Sequence, residues 1–78
     1  MTHLIGLSQI ADLLNGHFNL DGKRAIGART PKMWWYRTQH KRLEMPMPDP
    51  VQRLGARQSP YWKAEQIIKW YGDWKGLK

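Results

Sequence analysis

The polar and apolar positions of this chain follow a helical period at both ends and lose it in the middle. In "GLSQIADLLNG" (6–16), Ile10, Leu13 and Leu14 recur at helical spacing while Gln9 and Asp12 face away. Ser8 stands where its hydroxyl can accept a first-turn N–H, and Asn15–Gly16 offers a left-handed exit. The pattern predicts a first helix that serves the core. Near the other end, Ala64, Ile67, Ile68, Tyr71 and Trp74 fall within about 120° of one another at ~100° per residue. Glu65, Gln66, Lys69 and Asp73 fall opposite. A final amphipathic helix from about Lys63 is predicted, weakened near its end by Gly72.

Residues 16–29, "GHFNLDGKRAIGAR", show no period. Asp21–Gly22 marks a turn, and either Phe18, Leu20 and Ile26 pin this stretch to the core or a short extra helix interrupts it. Thr30 followed by Pro31 opens a middle helix: threonine caps, and proline at the first helical position loses no needed N–H. That helix is predicted to run to about Arg42, where "MPMPDP" (45–50) enforces an extended path. "VQRL" (51–54) alternates like a half-buried strand, "GARQS" (55–59) turns, and "PYWK" (60–63) returns. The expected hairpin carries Arg57 near its tip and must pack on the helices to be stable.

The middle helix holds a conflict. Trp34, Trp35 and Tyr36 are consecutive. Three neighbouring side chains span more than half of a helix circumference, so they cannot all be buried on one face.

Charge sharpens the point. The formal net charge is +7 and the pI about 10.2. Between Asp21 and Glu44 there is no acid, whereas Lys23, Arg24, Arg29, Lys32, Arg37, Lys41 and Arg42 all occur. Arg53, Arg57 and Lys63 form a sparser second set. Such a field recruits phosphate polymers or anionic membrane. No apolar run approaches a membrane span, and residues 4–14 are too broken by Gly6, Ser8, Gln9 and Asp12 for a signal peptide. The reading is a single small domain over 1–78, cytoplasmic and with no membrane partner. The 5 tryptophans supply the core that a chain of 78 residues otherwise struggles to build.

Catalytic and metal chemistry find no constellation. Cysteine is absent, and His3, His17 and His40 are scattered. The acids Asp12, Asp21, Glu44, Asp49, Glu65 and Asp73 form no evident pair, and Ser8 and Ser59 have no base placed beside them. "GKRAIG" (22–27) lacks the spacing of a phosphate-cradling loop. No enzyme, no cofactor and no metal are expected. A basic helix followed by a basic hairpin suits double-stranded DNA, because a helix fits the major groove while a hairpin lies along the backbone or minor groove.

"GLSQIADLLN", "RTPKMWWYR", "MPDPVQRLG" and "PYWKAEQIIKWY", in that order, resemble the small MerR-like winged helix-turn-helix proteins of the phage excisionase type. Trp62, Ala64, Glu65 and Trp70 match that family's wing-to-helix pattern, and the likeness covers roughly three quarters of the chain. The resemblance implies a mostly α fold with a small β-hairpin wing, in which the first helix supports and the capped second helix reads DNA. It implies a recombination directionality factor that binds and bends attachment-site DNA, with an integrase and further copies of itself as partners in a bacterial host. The chain departs from the family in the dozen or so extra residues between Asn15 and Arg29. Those residues either add phosphate contacts through Lys23, Arg24 and Arg29 or form a plain surface loop.

On the family's pattern Trp34 takes a buried position; helix rotation then turns at least one of its two neighbours outward, so that Trp35 packs under the extra loop or lies outward and Tyr36, with a hydroxyl suited to a phosphate or base edge, faces DNA. The expected contacts are Lys32, Tyr36, Arg37, Gln39 and His40 in the groove, with Lys41 and Arg42 nearer the backbone. Arg29 and Thr30 at the helix start, the latter through its hydroxyl and nearby N–H groups, and Arg53 and Arg57 in the wing complete the set. Three rival readings remain: a small transcriptional repressor of the same fold, a protein-interaction module built on the exposed aromatics, and an RNA binder, for which no module motif is present.

Overall fold

The computed structural model describes residues 4–77. The elements run β1 (Leu4–Gly6), α1 (Leu7–His17), a 3₁₀ turn (Gly22–Arg24), α2 (Thr30–Gln39), β2 (Gln52–Leu54), β3 (Ser59–Lys63) and α3 (Ala64–Lys75). The fold is mixed α/β rather than mostly α. The expected hairpin is joined by β1, making a three-stranded antiparallel sheet of order β1-β3-β2. Leu4 pairs with Lys63 and Gly6 with Tyr61, while Gln52 pairs with Tyr61 and Leu54 with Ser59. Three residues are too few to show a strand period, so β1 left no pattern to find.

The start of α1 corrects one expectation. Ser8 is not the cap. The helix begins two residues earlier, at Leu7, and the N–H of the capping residue Gly6 donates to Gln9 Oε1 at 3.0 Å. The start of α3 repeats the device, with Lys63 N–H donating to Gln66 Oε1 at 3.0 Å. In both helices a glutamine three residues in reaches back to the cap, half of a capping box.

The helix exits also differ from expectation. α1 runs past Asn15–Gly16 to His17, and the left-handed residue is Asn19, with φ 54°. Leu20 N–H then bonds Asn15 O at 2.9 Å. α2 ends at Gln39 rather than Arg42, with Lys41 left-handed at φ 56° and Arg42 N–H bonding Arg37 O at 2.7 Å. α3 closes likewise through Gly76, with Leu77 N–H on Gly72 O at 2.8 Å. All three are Schellman closures, which satisfy carbonyls the helix end would leave unpaired. Gly72 lies buried inside this last closure: a Cβ there would sit 3.1 Å from Leu77 O and 3.5 Å from Phe18. A side chain here would crowd the closure, so packing favours the glycine that helix propensity alone disfavours.

The core is aromatic. Trp34 lies 5.4 Å from Trp70, 5.7 Å from Tyr71 and 5.6 Å from Trp74, centroid to centroid. Ile5, Ile10, Leu14, Met47, Trp62 and Ile67 complete it. "MPMPDP" is neither helix nor strand, and two indoles hold it: Trp70 Nε1–H donates to Met45 O at 3.0 Å and Trp62 Nε1–H to Pro48 O at 2.7 Å. Thr38 Oγ1 accepts Met47 N–H at 3.1 Å, tying the same segment to α2.

The irregular stretch is anchored at both ends. Leu20 is buried, Phe18 and Ile26 pack against the core, and a short 3₁₀ turn occupies Gly22–Arg24. Both expectations for this region therefore hold in part. Asn15 bridges across it, donating from Nδ2 to Ile26 O at 3.0 Å and accepting Ile26 N–H on Oδ1 at 2.7 Å. Among the described residues, no helix is long and apolar enough to cross a membrane.

Candidate nucleic-acid interface

The three consecutive aromatics of α2 go three ways. Trp34 enters the core, as expected. Trp35 does not pack under the loop. It is half-buried, its ring meeting Trp62 of β3 edge-on at 5.4 Å, with the Arg53 guanidinium of β2 above it at 5.7 Å. Tyr36 is 56 % exposed and its ring lies 4.3 Å from that of His40. Trp35 thus couples α2 to the hairpin, while Tyr36 stands on the surface.

The helix wheel orders the rest. Pro31, Trp34 and Thr38 form the inward face of α2. At ~100° per residue, the opposite face is centred on Met33, Tyr36 and His40, which lie within about 60° of one another. Lys32 and Gln39 flank this centre on the Trp35 side, next to the hairpin, and Arg37 flanks it on the other. All six are exposed. The expected groove residues Lys32, Tyr36, Arg37, Gln39 and His40 therefore share one outward surface. Met33, 49 % exposed at its centre, was missed. Its signal was available: once Pro31 and Trp34 are both inward, rotation at ~100° per residue places Met33 on the outward side.

The ends of α2 depart from expectation. Thr30 makes no side-chain capping bond, and the capping position belongs to Arg29. Thr30 N–H is already taken by Gly27 O at 3.1 Å, and Pro31 has none, so the helix start offers few donors to a phosphate. Arg29 is exposed immediately before the helix. Lys41 and Arg42, also exposed, lie on the exit turn beyond the helical face.

In the hairpin, β2 is exposed at every residue rather than half-buried, because only β3 presents alternate residues, Pro60 and Trp62, to the core. Arg53 leans over Trp35, and Arg57 occupies the exposed turn between the strands, where Gln58 N–H bonds Gly55 O at 3.1 Å. Between this sheet and the start of α1 lies a notch of about 190 Å³, bounded by Leu7, Ser8, Lys32, Ser59 and Tyr61. It brings Lys32 beside two serines that sequence reasoning had set aside.

A separate cavity of about 270 Å³ opens near the end of α3, between Arg24, Lys75, Leu20, Tyr71 and Leu77. Burial raises the Tyr71 phenol above its ordinary pKa, and the nearby Arg24 charge opposes that shift. Lys75 Nζ lies 3.9 Å over the Trp74 ring. Arg24 thus turns toward the end of α3, while Arg29 leads into α2; the structure does not gather the loop cations at one place. His3 lies outside the described residues. Among those described, no group of three or more His, Cys, Asp or Glu is close enough to hold a metal ion.

Comparison with family models, with curated protein sequences and with solved structures gave no match.

Proposed function

We propose that this chain is a sequence-specific double-stranded DNA-binding protein of winged helix-turn-helix type, with α2 as the reading helix and the β2–β3 hairpin as the wing. One observation carries the proposal. A helix with a single buried face turns Lys32, Tyr36, Arg37, Gln39 and His40 outward, and Trp35 joins it to a fully exposed strand bearing Arg53 and leading to Arg57. A rigid helix fills a major groove and a wing held at a fixed angle reaches the neighbouring backbone.

The particular role we propose is that of a phage excisionase, binding and bending attachment-site DNA to direct integrase-mediated excision; a small repressor of the same fold is the alternative. Cations spread over helix and wing favour bending, since a curved duplex meets both at once and the added attraction offsets its deformation energy. The exposed Met33 and Tyr36 support a second reading, a protein-interaction module, because aromatic patches beside arginine often form binding hot spots.

The test is a salt series on duplex DNA from around the protein's own gene against scrambled duplex. Specific binding predicts a preference of about 10³-fold or more at physiological salt. If Arg29, Lys32, Arg37, Lys41, Arg53 and Arg57 all meet phosphates, log affinity falls against log salt with a slope of about −5, and Arg57→Ala reduces that slope by about 1. Equal binding to both duplexes refutes the specific reading. Circularly permuted probes then separate the roles: bent DNA with several adjacent footprints fits excision, and one short unbent site refutes it.

A further inference from the structure

The centre of the outward face of α2 is not charged. Met33, Tyr36 and His40 occupy it, and the cations stand to either side, Lys32 on one flank and Arg37 on the other. Met33 and Tyr36 are also among the large hydrophobic side chains most exposed on the described surface, at 49 % and 56 %. Neither belongs to the core cluster of the described residues. Trp34 and Pro31 serve the core from the opposite side, and Trp35 meets Trp62 of the hairpin.

In a major groove this order has a chemical counterpart. The flanks of a helix lying there face the two phosphate backbones, which suits Lys32 and Arg37. Its centre faces the groove floor, where base edges offer hydrogen-bonding groups and one apolar group, the C5 methyl of thymine. A methionine has no strong donor or acceptor to read the polar edges, but its flexible thioether covers a methyl well.

We infer that Met33, with the Tyr36 ring beside it, reads thymine methyl groups, so that the target of this chain is a duplex with thymine at the position facing the middle of α2. The inference rests on the duplex-DNA reading above and adds the base class that the apolar centre selects.

The experiment uses the full chain and two random-sequence duplex pools of equal length, one synthesised with thymidine and one with deoxyuridine, which differ only in the C5 methyl. Duplexes enriched from the thymidine pool are remade with deoxyuridine. The expected result is a loss of about fourfold for each methyl covered. Met33→Leu keeps that thymine preference, because the apolar contact survives. Met33→Gln, similar in length but polar, binds the two versions nearly alike. Arg37→Ala weakens both equally and preserves their ratio. Met33 and Arg37 are surface residues, and circular dichroism confirms that each variant is folded.

The failures are distinguishable. If the enriched duplexes bind equally well with either base, and Met33→Gln changes nothing, the thymine reading is overturned while duplex recognition stands. If neither pool yields an enriched sequence, both are overturned, and the apolar centre of α2 belongs to a protein interface.

Discussion

Asn15 should hold the irregular stretch 16–29 in place, and the cost of removing its side chain can be worked from two bonds. Its side-chain amide donates to Ile26 O at 3.0 Å and accepts Ile26 N–H at 2.7 Å, closing a bridge across eleven positions of sequence. A hydrogen bond of this kind contributes about 1 kcal/mol net, so Asn15→Ala should cost ~2 kcal/mol. The site is part-buried, so water replaces some of the loss. Asn15→Asp keeps the acceptor for Ile26 N–H but loses the donor, and should cost about half as much. The assay is amide hydrogen exchange by NMR, alongside urea denaturation of each variant. A local loss of ~2 kcal/mol should speed exchange at Ile26 by about 30-fold, with the α3 core amides changing only as far as global stability falls. The measurement also speaks to function, because the bridge sets where the chain enters α2. If Asn15→Ala leaves Ile26 exchange unchanged and costs under about 0.5 kcal/mol, the stretch 16–29 is a passive loop and Asn15 does not anchor it.

Three further outcomes are expected. Trp35→Ala removes the contact between α2 and the hairpin at a cost of about 2 kcal/mol, and NMR order parameters should fall for residues 52–58 while those of α1 hold; an unchanged hairpin would show that β1 alone positions it. Lys41→Gly should stabilise the fold by about 0.5–1 kcal/mol in denaturant melts, because a left-handed backbone is easy for glycine and costly for lysine; a loss of stability would show that the lysine side chain makes a compensating contact. Tyr71 has a phenol pKa raised by burial, so its contribution is complete below about pH 10, where the unfolded phenol ionises, and is lost as pH rises through the higher folded value; Tyr71→Phe should flatten that part of the stability-versus-pH curve.

The elements most legible in the sequence were those whose periodicity matched their packing. Ile67 and Tyr71 repeat as a helix and are buried as one, and Trp62 returned on a strand as its alternating neighbours implied. What escaped was decided elsewhere in the chain. β1 has no period of its own and becomes a strand because β3 offers it a free edge. Ser8 is a good cap by identity, but Gln9 one residue on reached the cap N–H first. Helix exits at Asn19 and Lys41 run against simple glycine rules because tertiary packing of Leu20 and of the proline segment chose where the chain turns. At the interface, the outward set on α2 could be read by rotation from Trp34. The direction of Trp35 could not, because it depends on where the hairpin lies in space.

The register of the sheet also bears on the order in which the chain can fold as it is made. β3 is the central strand, and both of its neighbours precede it in sequence: Leu4 waits for Lys63, and Gln52 waits for Tyr61. While residues before β3 emerge from a ribosome, the first strand has no partner and the helix that would read DNA lacks the indole that steadies Trp35. The same short strand then docks Trp62, joins the two edges and leads directly into α3. Synthesis thus leaves a nascent chain with its charge displayed but its reading surface unassembled. The proposed reading surface is complete only once the few residues of β3 are in place.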